Sequence, residues 1–424
     1  MKDLSHSKKL ILFLIVFMDM MGFSLLFPLF PRTIEVFLAK GNDTLFSIFY
    51  YLAQFLSLGE NEKYTFVLFG GILGSLYSFL QFLAAPLWGR LSDDYGRRSV
   101  LLFTTFGNIL GYILWFFSSE FWLFVLSRVI TGLMGGNLSV ASAAMADETD
   151  DKTRAAGMGL LGAGIGLGFV LGPLLGGISS TWTFLDSFYE TGVLVVFPTS
   201  ALFAVITSTL TFILVFLLLK KESPKQKSER EIHPLLSIRK IKNQNLLQVS
   251  LLNLLFVFSF SGFEFVVNFF LSDYYSFSPK QIGFTFLYIG MVIILVQGGV
   301  VRRLSGRWKE KKIVLLGGTF VVFGLLSLLW FGGHLLGLFF SLFFLAFGSA
   351  LVNPGLSSLA SLVSGKEEFG RSLGLFRSFG SLGRALSPIV FALFYFQKGP
   401  GLSFFISLCL LLGFTYLLHR IREN

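Results

Sequence analysis

The sequence predicts an all-α polytopic membrane protein, and three observations carry that prediction. Of 424 residues, 54% are hydrophobic and only 14% are charged, against about 25% charged in a soluble domain. The apolar residues gather in runs of about 20, the length a helix needs to cross the hydrocarbon core. Lysine and arginine favour alternate connections. With both termini inside, 26 of the 34 lie on the inner side, five lie outside and three lie within spans, the asymmetry that orients helical membrane proteins. The same composition excludes a soluble fold and disorder. The net charge of +10 reads as inner loops beside an anionic membrane face, not as nucleic-acid binding. The single cysteine, Cys409, sits in an apolar run, which rules out an intrachain disulfide and argues against a thiolate metal cluster.

Twelve spans are predicted, over 9–31, 65–88, 99–118, 120–146, 155–178, 197–219, 246–271, 280–301, 313–332, 335–363, 372–396 and 402–419. The first is expected to be retained, because Leu10–Phe30 is too long for a signal-peptide core and lacks a small-residue cleavage site. The run Leu45–Leu58 is too short to cross and is placed as an interfacial helix in the first outer loop. Counting it as a span would invert every later loop. The polar stretch 221–245, with Pro224 and Pro234 as breakers, divides six spans from six. The expected organisation is an N-terminal bundle over 1–220, an inner linker over 221–245 and a C-terminal bundle over 246–424, N-in and C-in. The sequon Asn42-Asp43-Thr44 falls outside, and the short tails favour a bacterial inner membrane.

The two halves repeat one another. Asp19–Ser24 aligns with Ser259–Glu264, Arg98–Leu102 with Lys312–Leu316, and Arg154 and Gly157 with Arg371 and Gly374. After a two-residue gap, Gly168 and Pro173 align with Gly383 and Pro388. Repeated six-helix halves with a substrate site between them near mid-membrane are a transporter signature.

Between spans 2 and 3 the chain reads Gly89-Arg90-Leu91-Ser92-Asp93-Asp94-Tyr95-Gly96-Arg97-Arg98. This resembles the G-x-x-x-D-R/K-x-G-R/K-R/K signature of the major facilitator superfamily, with Asp94 where a basic residue is usual. Gly89 permits close helix approach and Gly96 a positive-φ turn. The resemblance implies that Asp93 faces the start of span 11 and that Arg97 pairs with Asp147. Span 5 carries Gly164, Gly168, Gly172, Pro173 and Gly176. Small residues at this spacing let helices pack closely, the Gly172-Pro173 step permits a bend, and the run resembles the antiporter motif of the drug:proton branch. Ser127-Arg128-Val129-Ile130-Thr131-Gly132 resembles the same family's motif with a buried arginine. Asp19-x-x-Gly22 with Pro28-Leu29-Phe30-Pro31 resembles the first helix of tetracycline:proton antiporters. The blocks Asn61–Tyr64, Phe69–Gly71, Gln81–Leu83, Gly136-Asn137 and Ser261–Glu264 resemble the animal tetracycline-transporter-like, organic-anion efflux proteins.

Ionisable groups at membrane depth are costly, so each is a functional candidate. Asp19 lies ten residues beyond Lys9, about 15 Å along a helix, near the midplane. Arg128 is its expected partner. Glu264 is a second proton site or a substrate contact. Arg377, Gly380, Ser381, Arg384 and Pro388 fall on one helical face. Asp19, Arg128, Glu264, Asn268, Asn353, Arg377 and Arg384 are the expected cavity residues, with Asp19, Arg128 and Glu264 coupling protons. Three buried cations against two anions lean toward anionic or zwitterionic cargo. The four histidines lie outside the spans or at their ends, and no Walker loop or HExxH motif is present.

These readings converge on a secondary active transporter, not an enzyme. It is expected to export amphipathic organic compounds, tetracycline-like molecules or organic anions, by proton-coupled antiport and alternating access. It is expected to act as a monomer, driven by the proton gradient without a cofactor. A symporter or uniporter for an organic anion or metabolite, or a lipid exporter, is the alternative on the same fold.

Overall fold

Without water in the hydrocarbon core, a spanning backbone must satisfy its own hydrogen bonds, and the apolar runs are helical in the computed structural model. It describes residues 2–40, 43–57, 65–149, 154–182, 184–185, 197–219, 243–304, 307–363 and 369–420. Its helices are α1 (Lys2–Ser24), α2 (Phe30–Lys40), α3 (Thr44–Ser57), α4 (Thr65–Tyr95), α5 (Arg97–Phe116), α6 (Phe121–Met134), α7 (Asn137–Asp147), α8 (Arg154–Ser179), α9 (Pro198–Leu218), α10 (Gln244–Asp273), α11 (Pro279–Leu295), α12 (Arg302–Leu304), α13 (Glu310–Phe331), α14 (Leu335–Val363), α15 (Phe369–Lys398) and α16 (Pro400–Arg420). Among the described residues there is no strand, and twelve helical stretches are long and apolar enough to cross a membrane. The expected linker, apart from 243–245, lies outside the described residues, as do Asn42 of the sequon, Lys63, His233 and the Arg154 and Arg371 side chains. Asn243 caps α10, accepting the Leu246 N–H at 3.1 Å and donating to the Val363 carbonyl at 2.7 Å.

Four spans differ from expectation. Span 1 breaks after Ser24, passes through a short 3-10 turn at Phe27–Leu29 and resumes as α2, because Pro28 and Pro31 lack backbone donors. Residues 32–40, placed in a loop, are helical. Span 4 is two helices separated at Gly135-Gly136. A Cβ on Gly135 would meet Gln81 at 2.9 Å, and one on Gly136 would strike Trp88. Span 8 loosens into a π-helix at Val296–Val301 around Gly298-Gly299, where no side chain packs. The motif after span 2 is not a loop: α4 runs through Tyr95 and α5 starts at Arg97. Gly96 alone makes the turn, at φ 86°, a conformation that costs glycine least.

The chain divides into two compact units. Unit 1 comprises Met1–Ala53, Leu76–His233 and Leu271–Leu287, and unit 2 comprises Gln54–Ser75, Pro234–Phe270 and Tyr288–Asn424. The division departs from the sequence halves at Gln54–Ser75 and Leu271–Leu287. In unit 1, α8 lies backbone to backbone on α1. Cβ atoms on Gly164, Gly168, Gly172 and Gly176 would meet the carbonyls of Phe13, Phe17, Met21 and Leu25 in turn, four matched contacts each about one helical turn from the next. Ser24 Oγ also donates to the Gly168 carbonyl at 3.0 Å. In unit 2, α13 crosses α14 with Gly317 against Gly348, and phenylalanine rings such as Phe320–Phe347 (4.7 Å) and Phe323–Phe344 (4.8 Å) fill the seam. The short helix α3 packs Phe46 and Phe49 on Phe121 and exposes Ile48, Tyr51 and Phe55.

Candidate functional site

Asp19 sits in the last third of α1, and two amides close on it. Asn137 Nδ2 donates to Asp19 Oδ1 at 2.6 Å and Asn108 Nδ2 donates to the same oxygen at 3.3 Å. Thr104 Oγ1 in turn donates to Asn137 Oδ1 at 2.5 Å. Asn137, Thr104 and Asn108 are all buried. The break at Gly135-Gly136 puts Asn137 at the first turn of α7, beside α1. A Cβ on Gly22, one turn from Asp19, would come within 3.2 Å of Thr207 Oγ1 and reach ordinary contact with the Tyr112 hydroxyl. A carboxylate at membrane depth needs donors or a proton, and here the donors are neutral amides.

The expected Asp19–Arg128 ion pair does not form. Arg128 is buried at 4% exposure, donates to Ser127 Oγ at 2.9 Å and lies over the rings of Trp115 (5.1 Å), Phe124 (5.4 Å) and Tyr112 (6.0 Å). Tyr112 stands between the two charges and feels both. Aromatic faces take over the guanidinium that the carboxylate was expected to hold, so Arg128 lies inside unit 1 instead of facing a cavity. Asn108, Asn137 and Tyr112 carry the arrangement, yet no role was assigned to them from sequence. The available signal was two asparagines inside otherwise apolar spans.

At the α4–α5 turn, Arg97 is 5% exposed and serves two carboxylates. It pairs with Asp93 one turn before it, and its Nε meets Asp147 Oδ2 at 3.1 Å. It also donates to Ser92 Oγ at 2.5 Å and to the Gly89 carbonyl at 3.4 Å. Arg98 donates to the Phe216 carbonyl at 2.8 Å. Lys8 adds a tie the sequence reading missed, reaching Glu148 Oε1 at 2.5 Å. We expect Asp93→Asn to insert normally but to transport about tenfold more slowly, the scale of a ~1.4 kcal/mol bias between conformations. Counting protein in membranes beside initial transport rates checks it, and an unaltered rate would mean that the Asp93–Arg97–Asp147 cluster does not bias the conformational equilibrium.

In unit 2, the Arg384 guanidinium of α15 acts electrostatically on the Glu264 carboxyl of α10. Asn268, one turn on, is buried, donates to the Glu264 carbonyl at 2.8 Å and leaves its Oδ1 unpartnered. The face expected on α15 splits in two. Arg377, Ser381 and Arg384 are exposed, whereas Gly380 packs on Asn253 and Pro388 lies against Gly71 and Gly74. Asn353 of α14 is also exposed.

Twelve apolar spans with ionisable groups at depth define a class, and comparison with known proteins agrees. The chain belongs to the Major Facilitator Superfamily, whose sequence profile matches residues 12–388 and 303–421, so it is an integral, multi-pass membrane transporter and not an enzyme. It is 32% identical to major facilitator superfamily domain-containing protein 10 of Mus musculus, over 98% of this chain and 92% of that protein. It is 26% identical to the class B tetracycline resistance protein of Escherichia coli, over 97% and 96%. Among solved structures, the human organic anion transporter MFSD10 (TETRAN) matches with a TM-score of 0.79 at 29% identity, covering 98% of this chain and 99% of that one. The superfamily and tetracycline-transporter-like resemblance read from the motifs therefore stands.

Proposed function

We propose that this transporter is a proton-coupled antiporter that exports amphipathic organic anions by alternating access, in a proton-energised cytoplasmic membrane such as the bacterial inner membrane. The observation that carries the reading is Asp19. It is a carboxylate in a spanning helix, held by two neutral amides and by no cation, and such a group alternates between charged and protonated forms without breaking an ion pair. Asp19 takes a proton on the outer side and releases it inside as the two halves rock. The exposed Arg377–Arg384 face supplies positive charge for an anionic cargo, with Glu264 beside it as the cargo contact. Kinship with an organic anion transporter and with tetracycline resistance proteins supports both parts.

The test is substrate movement in inverted vesicles with an imposed pH gradient, screened over tetracyclines and aromatic carboxylates. Accumulation that follows the gradient is expected, and accumulation indifferent to it would favour a uniporter on the same fold. Arg384→Gln should raise KM for an anionic cargo by about tenfold and leave that for an uncharged one alone, as loss of one charge-assisted contact predicts. Equal effects on both would remove the anion preference.

A further inference from the structure

One cavity within unit 1 plays no part in the mechanism above. It has a volume of about 510 Å³ and opens at the end of the unit away from the Asp93–Arg97–Asp147 cluster. Its walls come from the α1–α2 break, the segment after α8, the start of α9 and the α10–α11 turn. Pro28, one of the lining residues, is nine residues beyond Asp19 and past the break that ends α1.

Among the described lining residues two side chains are cationic, Arg32 and Lys280, and one is anionic, Glu35. Arg32 is matched by Glu35 at 2.8 Å, but Lys280 makes no ion pair with a described residue. The hydroxyls of Ser272 and Ser276 line the space and have no hydrogen-bond partner among the described residues. The helix α9 begins beside the cavity, with the lining residue Phe197 as its N-cap and Pro198, which has no N–H, at its first position. The only two non-glycine residues with positive φ among the described residues, Phe197 (54°) and Ser276 (53°), both line it, and backbone strain concentrates where a ligand is clamped. Phe197, Phe277 and Ile282 supply an apolar wall.

We propose that this cavity is a second, peripheral site for a small organic monoanion. The carboxylate or sulfonate sits against Lys280 and Ser276, and the apolar body lies on Phe197 and Phe277. The volume suits a ligand of one or two rings. None of the lining residues belongs to α15, which bears Arg384.

Equilibrium binding of radiolabelled 1-naphthoate and of uncharged 1-naphthamide, to purified protein in phosphatidylcholine nanodiscs, tests this without any need for transport or a proton gradient. Its failure is thus distinct from failure of the antiport reading. Lys280→Gln should weaken naphthoate binding about tenfold and leave naphthamide binding unchanged. Lys280→Arg should restore it, and Arg384→Gln should leave this component in place. The proposal is overturned by any of four results: no saturable naphthoate binding to wild type, unchanged affinity in Lys280→Gln, an equal loss for naphthamide, or disappearance of the component in Arg384→Gln. Displacement of naphthoate by nanodiscs containing phosphatidylglycerol would make the occupant a lipid headgroup and overturn it too.

Discussion

Asp19→Asn is expected to abolish uphill, gradient-driven transport while sparing downhill exchange. The substitution is nearly isosteric, and an amide at position 19 still hydrogen-bonds Asn108 and Asn137, so the helices keep their packing. What it loses is the ability to bind and release a proton, and without that the gradient has no purchase on the rocking equilibrium. Accumulation ratios in proteoliposomes should fall to about one, with counterflow retained within roughly threefold. Glu264→Gln should act more mildly if Glu264 mainly contacts cargo. Undiminished accumulation in Asp19→Asn would place the proton path elsewhere, with Glu264 the next residue to test.

Gly172→Leu should have the largest effect on the folded protein. A Cβ at this position falls on Ser24 Oγ and beside the Met21 carbonyl, so neither helix can yield without opening the α1–α8 seam along its length. The penalty is at least the ~3 kcal/mol of overpacking a tight interior, and the monodisperse yield should fall steeply. The same helix contains its own control. A Cβ on Gly162 meets nothing within 4 Å, so Gly162→Leu should purify like wild type. Size-exclusion profiles and thermal unfolding of the two variants decide this, and equal behaviour would mean that the glycine ladder is not what seats α1 on α8.

The helices, their number and the family were legible in the sequence because they depend on local properties. Apolar run length, the K/R bias and the Gly89–Arg98 spacing need no partner to be read. Glycine positions marked span 5 as a close-packing helix, without saying that α1 is what it packs on, and Gly96 marked its turn. The sequence could not show where spans break, because proline and glycine tolerate a break without requiring one. Only packing against Gln81 and Trp88 puts the interruption at Gly135-Gly136 and so brings Asn137 to Asp19.

Charge pairing was the least legible feature. From sequence, a buried arginine and a buried aspartate in one half look like partners. The tertiary structure instead surrounds Arg128 with Tyr112, Trp115 and Phe124 and gives Asp19 two amides. Sequence alone determined which groups sit at membrane depth, since that follows from counting residues along a helix. Which group each one meets depends on the rotation and contact of helices that are distant in the chain, and only the tertiary structure decides that.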